Sequence, residues 1–231
     1  AVFRVHDNPD KDKLLSLKNL AFEFNYNIDI SNKIAVRKSL NKLLEKVEGT
    51  TEQGLFEPLV IRSMAKAEYA SKNIGHYGLS LNDYVHFTSP IRRYADLIIH
   101  RIINSILNNK PFSKSFEGIC KHISKKEREA SMAERESIKL MQIKYMEKHI
   151  GDAFKGVISG VVDHGFFVEL IQNGCEGFVR ASSLKGFYQI DNKRIALVNN
   201  DNKFTLGQSV DVKVIRSDSN KRLLDLELIS F

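Results

Sequence analysis

Apolar residues in the first part of the chain recur at intervals of three and four, the period of a helix with one buried stripe. Leu14, Leu17 and Phe22 mark one stretch; Ile34, Leu40, Leu43, Leu44 and Val47 a second; Leu55, Leu59, Ile61 and Met64 a third. Turns containing Asn and Gly separate them, so three amphipathic helices are predicted. A loop rich in Gly, Asn and Ser, SKNIGHYGLSLND, then leads into HFTSPIRRYADLIIHR, residues 86–101. KPFSKSF breaks the pattern. Residues 116–149 resume it as one long charged helix, with Ile119, Ile123, Ala130, Ala133, Leu140 and Ile143 on its inner side and a GD turn at its end.

Beyond Gly151 the period falls to two. FKGVISGVV, GFFVEL, EGFVR, SVDVKVI and LLDLELI alternate or carry β-branched residues, and HG, QNG and SDSNK punctuate them. Five strands within residues 151–231 predict a small closed barrel. The expected fold is therefore α+β and multidomain, mostly helical over residues 1–150 and all-β over residues 151–231. No internal repeat or low-complexity segment is visible.

Composition narrows the partners. With 42% hydrophobic residues among 231, the chain can build a real core and is not disordered overall. It carries 35 basic and 28 acidic side chains, a balance that leans toward a polyanion such as RNA, DNA or an anionic surface. Residues 151–231 hold ten of each sign, so the whole excess (25 minus 18) lies in the helical part. The barrel cannot rely on bulk charge. Cys120 and Cys175 match neither a CxxC pair nor a disulfide framework and read as buried thiols in a reducing compartment. No apolar run reaches the roughly 18 residues a membrane helix needs, and no signal peptide is visible, so the chain reads as cytoplasmic. Its start at Ala1 reads as a fragment or a processed product.

Residues 86–101 concentrate the candidate chemistry. Ser89 suits an N-cap and Pro90 a first helical residue, which predicts a helix whose positive end and free amides face out of HFTS. Such an end receives anions. Arg92 would sit in the first turn, and its planar fork suits a phosphodiester better than a lysine's point charge. Arg92, Asp96 and His100 share one face at i, i+4 and i+8. The same spacing also fits an Arg92–Asp96 ion pair with packed histidines, and spacing alone does not choose.

HYGLSLNDYVHFTSPIRRYADLIIHR, with RSMAKAEY upstream of it, resembles the signature of the ribonuclease II (RNB) family of processive 3′ to 5′ exoribonucleases. AVFRVHDNPDKDKL and SMAERES resemble other parts of the same catalytic domain. GDAFKGVISGVVDHGFFVEL and GCEGFVRASSL resemble the S1-type RNA-binding module, an OB-fold, that follows it. The resemblance covers the whole chain. It implies the C-terminal portion of an RNB catalytic domain at residues 1–150 and an S1-type barrel at residues 151–231. It places Arg92 at the scissile phosphates and Glu134 beside the active site, as catalytic residues. His86, Ser89, Arg93 and Tyr94 belong to the motif as RNA-binding residues, with helix packing or capping as the other reading; Arg101 is read the same way. Tyr77 and Phe87 could stack on bases but suit a core.

The family hydrolyses RNA with Mg²⁺ held by an aspartate cluster of the form DxxxxxDxDD, positioned upstream of a YRVH stretch, and this chain has no such cluster. Asp7, Asp10 and Asp12 fall on a helix start instead. The resemblance thus implies Mg²⁺ for the intact enzyme and no metal ligand or cofactor in this chain. On the barrel, Lys155, His164, Phe166, Phe167 and Arg180 are the candidate RNA contacts, with Phe154 and Phe178 beside them; of Phe166 and Phe167, one should be core and one outward. His164 replaces a usual Phe or Tyr, and Arg180 a usual His. The expected partners are single-stranded RNA and the missing N-terminal part of the enzyme, with no membrane and a monomeric state. The chain alone is expected to be inactive. A non-catalytic RNA-binding fragment or split-gene remnant, and a helical adaptor for protein partners, are the other readings.

Overall fold

A computed structural model describes residues 1–110, 115–193 and 195–231. Helix α1, Lys11–Glu23, begins at Asp10, whose carboxylate accepts the amides of Asp12 and Lys13. The early aspartates thus serve a helix start. Asn32 caps α2, Lys33–Val47, in the same way through the amides of Ile34 and Ala35. Helix α3, Gln53–Ser63, carries Pro58 inside it.

All three predicted helices form, but three of their marker residues face water. Phe22, Ile34 and Ile61 are 75%, 59% and 71% exposed. A helix buries one stripe, and each successive residue turns about 100° around the axis. Leu14, Leu17, Leu20 and Ala21 fill the stripe of α1, and Phe22 is one step past it. Ile34 is two steps before Val36 in α2, and Ile61 one step after Val60 in α3.

Strand β1, Phe3–Val5, pairs antiparallel with β2, Glu68–Ala70. Helix α4, Tyr94–Leu107, buries Ala95, Asp96, Ile98 and Ile99. Helix α5, Glu117–Met146, runs for 30 residues and passes into a 3-10 turn at Glu147–His149. It buries Cys120 and Ile123 near one end and Ile143 and Met146 near the other. Between them Ala130 and Ala133 are exposed, contrary to the inner face expected of them. Small residues at helical spacing do not require a covering surface. The break at KPFSKSF falls mostly on residues 111–114, outside the described residues.

The barrel is built from β3 (Ala153–Val162), β4 (Gly165–Leu170) and β5 (Glu176–Arg180), then β9 (Ser209–Asp218) and β10 (Leu223–Ser230). Its order is β10-β5-β4-β3-β9, closed by a parallel β10–β5 pairing. These are the five strands the alternation marked. Three more, β6 (Gln189–Ile190), β7 (Ala196–Val198) and β8 (Lys203–Thr205), form a separate antiparallel sheet between β5 and β9. β8 sends Phe204 into the barrel core, where it meets Phe166 at 5.1 Å between ring centroids. Ile143 and Met146 of α5 join the same core.

The chain divides into two compact units, residues 1–37 with 61–133, and residues 38–60 with 134–231. In the first, Val2, Tyr69, Ala95, Ile98, Ile99, Cys120 and Ile123 form one core cluster. In the second, α3 meets the barrel at Gly54 and Gly207: a Cβ on Gly207 (φ +82°) would lie 2.4 Å from the Gly54 carbonyl carbon. Both cysteines are buried and unpaired, and burial raises both thiol pKa values.

Candidate nucleic-acid interface

In the first unit, the segment expected to open a helix at Ser89 and Pro90 forms a turn instead. The amides of Arg92 and Arg93 both donate to the Ser89 carbonyl, at 3.3 and 3.0 Å, and Arg93 is extended at φ −121°, ψ 112°. Helix α4 starts at Tyr94, and Arg93, not Ser89, is its N-cap. The cause is Asp96. Its Oδ2 accepts the Ser89 amide at 2.7 Å and Arg93 Nη2 at 3.0 Å, pulling the turn back onto the helix.

Asp96 is fully buried. Burial pushes its carboxyl pKa up, but the hydrogen bonds from Ser89 and Arg93, with the charge of Arg93, overcome this and hold it below the usual range. Asp96 Oδ1 and Arg93 Nε are buried with no hydrogen-bond partner among the described residues. The ion pair therefore joins Asp96 to Arg93, not to Arg92. Arg92 is exposed, and its side chain has no ion pair or hydrogen bond among the described residues.

The other motif residues sort into held and presented groups. His86 is half-buried: Tyr69 Oη lies 2.9 Å from its Nδ1, and its ring meets Tyr69 and Tyr84 edge-on. Burial first, then the nearby Arg93 and Arg4, lower its pKa, so it is neutral at pH 7. Arg93 and His86 were expected at RNA; the structure engages both with protein, Arg93 through the buried Asp96 carboxylate and His86 through the Tyr69 hydroxyl. Ser89 contributes its backbone, not a side-chain cap. His100 turns back to the Phe87 carbonyl at 2.9 Å and stacks on the Phe87 ring. Phe87 and Tyr94 remain 45% and 46% exposed.

Sequence reasoning missed the surrounding frame. Arg4 lies over the Tyr69 ring at 4.8 Å and pairs with Glu127 at 2.6 Å, while His6, His76, Tyr84 and His86 continue the line of rings. These residues are far apart in sequence. The RVH and GHY fragments were the only local signal.

In the second unit the pleat decides. Phe166 is wholly buried, which removes it from the RNA-binding candidates, and its neighbour Phe167 faces outward. Phe167 lies opposite Phe178 in the β4–β5 register, with ring centroids 4.9 Å apart, and His164 lies 5.3 Å from Phe178. Gly165 makes this possible: at φ +154°, a Cβ there would sit 2.1 Å from the Val179 carbonyl oxygen and 2.6 Å from the Phe178 ring. Arg180, half exposed, reaches Asp225 at 3.2 Å beside the aromatic pair. Lys155 is exposed on β3, and Phe154 packs against the barrel core. At the other end of the same strands Glu169 faces Glu176, which accepts the Ser159 hydroxyl at 2.7 Å. The outer face thus has an aromatic end, where Arg180 is paired with Asp225, and an end with two facing glutamates.

Glu134 is exposed on α5 in the second unit, and Arg92 lies in the first. Among the described residues no group of three or more His, Cys, Asp or Glu side chains could hold a metal ion. A divalent ion therefore finds no donor set among them. No described helix is long and apolar enough to cross a membrane.

Residues 1–109 match the model of the RNB domain, and residues 147–229 that of the S1 RNA binding domain. Ribonuclease R of Aquifex aeolicus is 38% identical over 236 residues, covering 99% of this chain. The chain thus carries an RNB domain segment followed by an S1 domain. Its fold agrees: the apo form of Mycoplasma genitalium RNase R superimposes with a TM-score of 0.86 at 26% identity, over 99% of this chain and 37% of that one. The same RNase R in complex with ribose methylated single-stranded RNA gives the same TM-score, identity and coverage. The chain spans about a third of the length of the curated RNB relatives it matches, 33% for the Aquifex enzyme.

Proposed function

We propose that this chain is the C-terminal portion of a ribonuclease R-like 3′ to 5′ exoribonuclease, with residues 1–150 from the catalytic domain and residues 151–231 as its RNA-binding barrel. On its own it binds single-stranded RNA. The observation that carries the binding is the outward Phe167–Phe178 pair, flanked by His164 and Arg180, on a closed five-stranded barrel. Bases stack on such rings whatever their sequence, and Arg180, which spends one Nη on Asp225, keeps further donors for a phosphate. The acidic Glu169–Glu176 end repels phosphates, so the strand crosses at the His164 end.

In the intact enzyme, Arg92 grips the phosphates at the scissile 3′ end and Glu134 stands beside them. Its exposed side chain, without an ion pair or hydrogen bond among the described residues and next to the locked Arg93, supports Arg92 as the ligand-facing arginine. Mg²⁺, which would activate water and stabilise the leaving oxygen, takes its ligands from upstream aspartates, and the missing N-terminal part is the natural partner. The products are nucleoside 5′-monophosphates. The setting is cytoplasmic and the chain monomeric. A second reading, a non-catalytic RNA-binding fragment or split-gene remnant, is favoured by the missing donor set among the described residues.

Incubating a labelled oligoribonucleotide with the purified chain and Mg²⁺ tests the first reading. Retention of RNA without shortening is expected. Stepwise loss from the 3′ end would place a complete active site in this chain. In a reconstituted full-length enzyme, Arg92→Lys should slow single-turnover cleavage and leave RNA affinity nearly unchanged, because Lys keeps charge but loses the bidentate fork. Unchanged cleavage would remove Arg92 from the site.

A further inference from the structure

The first compact unit contains a second basic cavity, which RNA binding by the barrel does not use. It has a volume of about 240 Å³ and lies between the first turns of α2, the end of β1 and the 74–82 loop. Lys33 and Arg37, one helical turn apart on α2, line one side. His6 and His76, stacked at 5.2 Å, and Tyr77 line the other. No carboxylate lines it. Lys33 makes no ion pair among the described residues, and Arg37 Nη1 donates only to the Ser80 hydroxyl, a neutral partner. Two cations facing one cavity without a counter-charge repel each other and attract an anion.

Charge is only half of the lining. Ile34, Ile74 and Leu81 are 59%, 47% and 44% exposed, and all three line the cavity. Aliphatic side chains left in water around a cationic centre suit a ligand with an anionic head and an apolar or heteroaromatic body. Tyr77 adds a flat ring, stacked on His6 at 6.1 Å, and its buried hydroxyl has no hydrogen-bond partner among the described residues. Asn82 offers a carboxamide for polar ring edges. At about 240 Å³ the cavity encloses a phosphate and part of one nucleoside, with the remainder at its mouth.

We propose that this cavity binds a nucleoside 5′-monophosphate, its phosphate between Lys33 and Arg37 and its base against Tyr77, Ile34 and Leu81. The site is independent of the barrel face. It stands on its own geometry whether or not the barrel binds RNA.

The test is titration calorimetry of the full chain, in a chelator and without metal, using adenosine 5′-monophosphate, adenosine and inorganic phosphate as probes. Saturable binding of the monophosphate is expected, at least tenfold tighter than either half-molecule. Lys33→Met and Arg37→Met should each weaken it at least tenfold and leave single-stranded RNA binding unchanged, whereas Phe167→Ala should weaken RNA binding and leave the monophosphate in place. In the unaltered chain, the imidazole C–H proton signals of His6 and His76 should shift with the monophosphate and not with adenosine at equal concentration, a readout that does not depend on how the variants fold. Absence of saturable binding, equal affinity for adenosine or for phosphate alone, unmoved histidine signals, or loss of binding in Phe167→Ala would each overturn the proposal. Failure of RNA binding alone would strike the barrel reading and spare this one.

Discussion

The SPIRR turn and the outer face of β4 and β5 are both rich in cations and rings, yet they use them in opposite ways. In the turn, a buried carboxylate consumes one arginine and one backbone amide, and the aromatic residues close over a neutral histidine; among the described residues Arg92 is exposed and makes no ion pair. On the barrel, the pleat sends alternate residues out, so Phe167 is presented simply because Phe166 is buried. A motif held by internal polar bonds spends most of its chemistry on its own shape. A pleated face presents half of its residues whatever they are.

The largest effects should come from breaking the held side of each region. Asp96→Ala strands a mostly buried guanidinium and the Ser89 amide, and should cost about 3–5 kcal/mol in urea unfolding. Loss of less than about 1 kcal/mol would mean that the turn does not depend on this pair. Phe166→Ala should open a cavity at Phe204 and cost a comparable 3–5 kcal/mol or so, roughly as for other buried aromatics.

Phe167→Ala sharpens the contrast, since it should leave stability nearly intact and weaken RNA binding about tenfold, within the roughly 1–3 kcal/mol that one stacked base contributes. Equal stability losses for the two phenylalanines would break the in-and-out assignment. A shallow salt dependence should accompany binding by the barrel, because its ten basic and ten acidic residues cancel.

Proton concentration probes the held histidines. Burial lowers the pKa of both His86 and His76. The unfolded chain therefore takes up these protons first as pH falls, near the ordinary value of about 6.5. Stability should be level above that pH and decline as pH drops below it, until the folded state protonates as well. A urea midpoint that rises from about pH 7 to about pH 5 would contradict this sign. The smallest effect is reserved for the free arginine: Arg92→Ala should change stability by no more than about 0.5 kcal/mol, as expected of an exposed side chain without partners.

Much of this architecture is legible in the order of residues. The alternation in GFFVEL and EGFVR marks the barrel strands and limits Phe166 and Phe167 to one inside and one outside, because the pleat has a strict period of two. The three-four spacing marks each helix, although it cannot say which of Ala21 and Phe22 ends the buried stripe. Strands β6 to β8 carried no usable pattern, since two or three residues are too few to show a period.

By itself, then, the sequence determined the helical part, the five-stranded barrel and the resemblance to the RNB family, because these follow from local periodicity and from contiguous motifs. Only the tertiary structure decided which of two adjacent arginines is free. That choice depends on the burial of Asp96 on a helix whose Ala95, Ile98 and Ile99 pack with Val2, Tyr69 and Cys120, and on Tyr69 reaching His86 across the fold. It also brought Lys33 and Arg37 to His6 and His76 around one cavity, because α2, the end of β1 and the 74–82 loop meet only when the chain has folded.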